Sequence, residues 1–370
     1  MQLSPFRIEA FYDKHEFTAE LMLSSSDCQS RSIAELLAFE PDARAQLEGL
    51  WLGYTETRGA PGLRLTIAGI HDSLEPRDVL VVAAAEEGIF LAYHALLQAG
   101  DHVIVEAPCY ESAITLARGV GATVSKWQRH YADGWAHDLD ALQRLVQPNT
   151  KLIYINSPHN PTGTQMTQAT LERVVEIARA ANAYLFSDEV YRELEHDPAL
   201  RLPAACDLYD KAISLGSISK SYGLPGLRLG WLTSRDAAAL EQILQLKLYT
   251  TICSPAPSEF LVDLALRHRQ TLTQRNLEIV NRNLPLLDAF MQRHSSHFDW
   301  VRPSGSPIGF PRFKAGDATA FCEAVVRDIS VLLLPGAVYD EPQHLRISFG
   351  RANMPEALER LERYLAKLPS

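Results

Sequence analysis

Between residues 79 and 232, short apolar runs alternate with stretches of helical periodicity, and no other feature constrains the fold as much. The runs lie at 79–82, 102–105, 123–126, 152–155, 184–188, 212–216 and 229–233. The clearest helices are predicted at 88–98 and 171–181, where apolar residues recur at helical spacing. Such alternation argues an α/β architecture, a mostly parallel sheet covered by helices on both faces. Sheets of this kind take their ligands where strands end and loops begin. Residues 236–293 read as long helices broken at Cys253-Ser254-Pro255-Ala256-Pro257. Short strands at 308–313, 330–334 and 344–348 and an amphipathic helix at 355–368 follow, as in a smaller α+β unit. The expected division is an N-terminal segment (1–50) packed on the small domain, a large domain (51–270) and a small C-terminal domain (271–370).

Chemistry concentrates in Ser217-Ile218-Ser219-Lys220-Ser221-Tyr222-Gly223-Leu224-Pro225-Gly226-Leu227-Arg228. A lysine just past an apolar run, flanked by hydroxyls and followed by an arginine, suits a Schiff-base amine beside a bound phosphate. The amine must lose its proton to attack a carbonyl. Serine hydroxyls and a guanidinium hold a phosphate by hydrogen bonds and fixed charge. A solvated loop lysine would be the ordinary reading of Lys220 alone, but it is one member of an ordered set. The set runs Tyr110, then Asn156-Ser157-Pro158-His159-Asn160-Pro161-Thr162-Gly163, then Ser187-Asp188-Glu189-Val190-Tyr191, then the lysine segment, then Leu345-Arg346-Ile347-Ser348.

In order and spacing this set resembles the class I/II aminotransferases, pyridoxal-phosphate (PLP) enzymes of fold type I, over about residues 51–349. The resemblance implies a role for each block. Lys220 binds the cofactor. Asp188 keeps the pyridine nitrogen protonated, which a buried carboxylate does by favouring the charged partner. Asn160 and Tyr191 contact the phenolic oxygen, and Tyr110 stacks on the ring. The phosphate falls to the amides of Ala85 and Glu86, at a helix start after the run 79–82, with Ser217, Ser219 and Arg228. A glycine or serine more often stands where this chain has Ala84. Tyr54 matches a tyrosine that reaches the phosphate from the neighbouring subunit, which implies a homodimer with shared sites. Arg346 matches the clamp for the substrate α-carboxylate.

The bulk numbers fit a globular enzyme. The chain has 370 residues, 46% hydrophobic and 22% charged, with a formal net charge of −10. That balance, without a basic run, excludes nucleic acid as the expected partner. The five cysteines are widely spaced, with neither metal nor disulfide pattern, as suits a reducing cytoplasm. Residues 1–20 are charged and lack the apolar core of a signal peptide. No apolar run is long enough to span a bilayer.

The family usually carries a glycine-proline turn where the N-terminal strand reaches the site. This chain has Leu23-Ser24-Ser25-Ser26-Asp27 instead. The segment is similar to that of capreomycidine and enduracididine synthase-like PLP cyclases, which close a guanidine ring on a hydroxylated arginine. Glu9, Ser25 and Asp27 are therefore candidate contacts to a cationic substrate side chain. A solvated helix face for Glu9 and a helix N-cap region role for Asp27 are the alternative. The leading expectation is an aminotransferase acting on a free amino acid with a keto acid as acceptor, and the cyclodehydratase is the alternative. An inactive or regulatory PLP-binding homologue is a further alternative, disfavoured by the intact Lys220 and Asp188.

Overall fold

The computed structural model describes residues 3–367. Its centre is a seven-stranded sheet. After a short N-terminal strand β1 (Leu21–Met22), the sheet strands are β2 (Val79–Val82), β3 (His102–Ala107), β4 (Thr123–Gln128), β5 (Thr150–Asn156), β6 (Tyr184–Asp188), β7 (Ala212–Ser217) and β8 (Gly230–Thr233). Their spatial order is β2-β8-β7-β6-β5-β3-β4. Strands β3 to β7 run parallel, whereas β8 is antiparallel to both β7 and β2. The lysine segment explains that reversal. It contains only a 3-10 turn at Pro225–Leu227, so no crossover helix returns the chain to the other end of the sheet.

The two predicted helices lie at Ala84–Leu96 and Gln168–Ala180. The second is capped by Thr167, whose side chain accepts the Thr170 amide. The first has no side-chain cap, and its free amides open on the strand ends. The helical stretch resolves into Ala237–Lys247, Ala256–Arg267 and Arg269–Arg293.

Beyond it, β9 (Phe298–Asp299), β10 (Ile308–Gly309), β11 (Arg312–Phe313), β12 (Val331–Leu332), β13 (Leu334–Pro335) and β14 (Leu345–Ser348) form small sheets. The single strand expected at 308–313 is split at Phe310-Pro311, where proline offers no N–H to a ladder. The last helix spans Met354–Leu365; its expected end at Leu368 lies outside the described residues. The N-terminal chain closes on this region, with β1 parallel to β12. The helix Arg7–His15 sits with Ile8 in a cluster with Trp135, Phe310, Leu334, Val338 and Tyr339.

A buried ion network holds the loop after β5. The Glu106 carboxylate is fully buried and accepts the Asn156 amide at 2.9 Å, Arg129 Nη1 at 2.9 Å and His137 Nε2 at 2.8 Å. Arg129 also donates to Thr164 Oγ1 at 2.6 Å, tying the far end of the loop. Burial alone would raise the Glu106 pKa, but His159, His137 and Arg129 outweigh it and hold it well below the ordinary range. Its stabilisation is thus complete above its ordinary value of 4.5 and is lost as pH falls below it. Glu106→Ala should cost about 3–5 kcal/mol, because it strands a buried guanidinium. Denaturant titration checks this, and a variant as stable as the parent would rule out the network as a support for the loop.

Candidate active site

The free ends of β5, β6 and β7 surround a cavity of about 580 Å³. Residues proposed from sequence come together here: Glu9, Ser25, Asp27, Ala85, Glu86, Tyr110, Asn160, Asp188, Tyr191, Ser217, Ser219, Lys220, Arg228 and Arg346 all line it. Tyr54 does not. It is 86% exposed and faces a separate recess with Leu52 and residues 253–257.

Strand register sets the centre. Asn156 pairs with Asp188 across β5 and β6, and Asp188 pairs with Leu215 on β7. Asp188 is 7% exposed and accepts Tyr154 Oη at 2.9 Å and the Val190 amide at 3.2 Å. Burial dominates these contacts and raises its pKa to about 6. Tyr154 and Asn156 share one parity of β5, so alternation along the strand could have revealed Tyr154. Asn156 also donates to the Asp188 carbonyl at 2.8 Å and accepts the Asn160 amide at 2.6 Å.

Lys220 donates to Ser26 Oγ at 2.7 Å. Burial lowers its pKa, although Asp27, Glu9 and Asp188 pull the other way. Arg346 is 2% exposed and uses all its donors within the protein. It binds Ser24 O through Nε and Nη2 at 3.1 and 2.9 Å, Tyr12 Oη at 2.6 Å, Asn160 Oδ1 at 3.1 Å and Tyr339 Oη at 2.5 Å. Any further ligand of Arg346 would have to displace one of these acceptors. Asn160 Oδ1 also accepts from Tyr339 at 3.2 Å, which leaves its amide NH₂ free to donate into the cavity.

Part of the lining is acidic. Glu9 accepts Tyr110 Oη at 2.9 Å, and Glu16 and Glu86 line the same space. Burial raises the Glu86 pKa to about 7, with help from the nearby Glu9 and Asp188. Asp27 also lines the cavity, but Arg351 Nη2 contacts both its oxygens at 3.0 and 3.2 Å. That ion pair leaves Glu9 as the freer of the two acids. Sequence reasoning missed Tyr12, Glu16, Ser26, Arg351 and Tyr339. Glu9, Tyr12 and Glu16 recur at helical spacing, which could have found two of them. Tyr339 carries no such signal.

Ala84 adopts φ 68°, a conformation that costs a residue with a Cβ about 1–2 kcal/mol, which accounts for a glycine at this position elsewhere in the family. Gly230 packs beneath it: a Cβ there would lie 3.0 Å from both Ala84 C and Ala85 N. The result is an uncapped helix start held against the sheet edge, beside Ser217 and Ser219, whose hydroxyls are 3.0 Å apart. A phosphate fits this group. The amine of Lys220 fits an aldehyde, and the costly carboxylate of Asp188 fits a ring cation. The residues present thus suit pyridoxal phosphate.

This pairing on a fold type I sheet defines a PLP-dependent enzyme. The chain belongs to the family Aminotransferase class I and II, whose pattern matches residues 20–361. It is 30% identical to a capreomycidine synthase of Streptomyces vinaceus over 98% of this chain and 92% of that one. It superposes on a PLP-dependent aminotransferase from Streptococcus suis with TM-score 0.94 and 30% identity over the whole of both chains. The PLP-dependent cyclase OrfR gives TM-score 0.91 and 27% identity over 99% of this chain and 98% of that one.

Outside the cavity, among the described residues, His71, Cys206 and Asp207 bring ligating atoms within 4.8 Å of one another, which cysteine spacing did not suggest. Burial opposes charge on His71, but hydrogen bonds with Asp207 and Cys206 prevail and raise its pKa to about 9. At neutral pH this group holds a proton. Among the described residues no helix is long and apolar enough to cross a membrane.

Cofactor affinity should follow Asp188. As pH falls through about 6 the carboxylate takes up a proton and loses its attraction for a ring cation. Equilibrium dialysis should show binding weaker by about tenfold per pH unit below that point. Asp188→Asn should remove this dependence while leaving the part due to the phosphate itself. An unchanged profile in that variant would mean that Asp188 does not meet the ring.

Proposed function

We propose that this enzyme acts on a free α-amino acid with a guanidine-bearing side chain, removing a hydroxyl and closing the guanidine into a ring. The observation that carries this is the charge of the cavity lining, which combines the buried Arg346 with Glu9, Glu16 and Glu86. A zwitterion with a cationic tail matches both charges.

In this reading Lys220 would hold the cofactor, and its amine would take the substrate α-proton. Asp188 keeps the ring nitrogen charged. Asn160 and Tyr191 hold the phenolic oxygen, and Tyr110 covers the ring. The amides of Ala85 and Glu86, with Ser217, Ser219 and Arg228, hold the phosphate. Arg346 orients the α-carboxylate, Ser25 the polar middle of the chain, and Glu9 and Asp27 the guanidinium. Bound pyridoxal phosphate supplies an electron sink at the substrate α-carbon. The net change balances without an oxidant: a C–O bond breaks, a C–N bond forms, and one water leaves.

Transamination is the second reading, favoured by the overlay on the Streptococcus suis aminotransferase. It asks the same cavity to admit a keto acid in alternation with the amino acid. Acidic walls repel a dicarboxylate acceptor, so this reading requires a small monocarboxylate such as pyruvate. Incubating holoenzyme with a hydroxylated arginine and no keto acid separates the two. Cyclisation predicts many turnovers, a dehydrated product and an unchanged cofactor spectrum. A single turnover that leaves pyridoxamine phosphate would overturn it.

The family is generally dimeric, and we propose that the dimer shares its sites through Tyr54. Trp51, Leu52, Tyr54 and Tyr249 are 79, 77, 86 and 89% exposed, an apolar surface unusual for a lone chain. Mixing Lys220→Ala with Tyr54→Ala subunits should restore activity, because a mixed dimer contains one site with neither substitution. No recovery from a verified mixed dimer, or full activity of a monomer, would count against shared sites.

A further inference from the structure

We propose that Ser26 is a catalytic residue whose hydroxyl holds the Lys220 amine, whenever that amine is free of the cofactor, with its lone pair available. The inference rests on Lys220 being the base that moves the α-proton, and is independent of the choice between cyclisation and transamination.

The Lys220 stem is four flexible carbons, so a free amine needs a restraint to stay near a reacting atom. Among the described residues its amine makes one hydrogen bond, as donor to Ser26 Oγ at 2.7 Å. A neutral amine has two N–H bonds and one lone pair. Spending an N–H on Ser26 leaves the lone pair for the α-proton. The serine lone pair meets the lysine, and the serine's own proton stays available to another acceptor. When the α C–H bond breaks, its electron pair stays with the substrate and the proton goes to Nζ. Ser26 accepts more strongly from the resulting ammonium, because that bond is charge-assisted, so the lysine does not swing away before it returns the proton.

The backbone that carries Ser26 is itself anchored. Leu23 exchanges bonds with Leu332 and Ser348, both at 2.9 Å, and Ser24 O takes two donors of Arg346. The arginine proposed for the substrate carboxylate and the serine that aims the base thus hang from one short segment. A glycine-proline turn there has no hydroxyl to offer.

The test uses the full chain with Ser26→Ala and Ser26→Thr, the latter keeping a hydroxyl. In cofactor-free protein, acetic anhydride labelling of the Lys220 peptide across pH reports its titration. Ser26→Ala should move that titration to lower pH, raising labelling at pH below the midpoint by about threefold, the worth of one lost acceptor. In holoenzyme, exchange of the L-arginine α-proton in deuterium oxide, followed by NMR, should slow by about tenfold or more and recover in Ser26→Thr. Thermal unfolding should be unaltered in both. Parental Lys220 labelling in Ser26→Ala would overturn the proposal, as would parental exchange, or equal loss in Ser26→Thr. If L-arginine is not exchanged by the parent, the labelling arm alone decides. Borohydride trapping on a peptide other than that of Lys220 would instead defeat the underlying reading of the lysine.

Discussion

Burying a carboxylate at the end of β6 is the constraint on which the rest of this structure depends. Asp188 has its pKa raised from 3.8 to about 6, so in the empty protein its ionised form costs about 3 kcal/mol above that pH. The fold arranges two layers behind it. Tyr154 and the Val190 amide touch the carboxylate, and Asn156 fixes the neighbouring backbone. The Glu106–Arg129 pair in turn holds Asn156 and the loop beyond it. What these contacts leave uncompensated is the charge itself, and a cationic ring supplies the missing partner. Cofactor binding and fold stability are in this sense one linked equilibrium.

The second organising feature is the mixed charge of the cavity lining. Arg346 is saturated by Tyr12, Tyr339, Asn160 and Ser24, which keeps it ordered without a ligand. The acids of the lining are not equivalent. Asp27 is neutralised by Arg351, Glu86 sits near half-protonation at pH 7, and Glu9 is held by a tyrosine hydroxyl. A cationic side chain would draw the Glu86 proton off, so its charge is met by an acid that is partly neutral beforehand.

Much of this was legible in the sequence, for identifiable reasons. Strands buried on both faces write continuous apolar runs; these strands, and the more exposed edge strand β4, were visible to within two residues at each end. Strand direction was not visible, because it depends on whether a connection contains a helix, and the lysine segment does not. Asp188, Asn160 and Lys220 were found because they sit in compact blocks beside strand ends. Arg351 reaches the cavity from the C-terminal region and Ser26 from the N-terminal arm, and Tyr339 stands behind the lining against Arg346. Their roles arise from tertiary contacts between segments more than 170 residues apart, such as Tyr339 with Asn160, and no local pattern encodes those. The division of the chain into segments at 50 and 270 remains our reading. The helix Arg269–Arg293 contributes Leu272 to the core by the large sheet and Leu287 to that of the small sheets.

The account stands on charge selection, and the direct measurement compares L-arginine with L-citrulline, its neutral near-isostere. The rate of α-proton exchange for each, at equal subsaturating concentration with the same holoenzyme, reads recognition before any later chemistry. The account predicts that arginine exchanges faster by about a hundredfold, and that Glu9→Gln reduces the advantage by about tenfold, the worth of a charge-assisted hydrogen bond. Equal rates for the two amino acids, or faster exchange of citrulline, would contradict it.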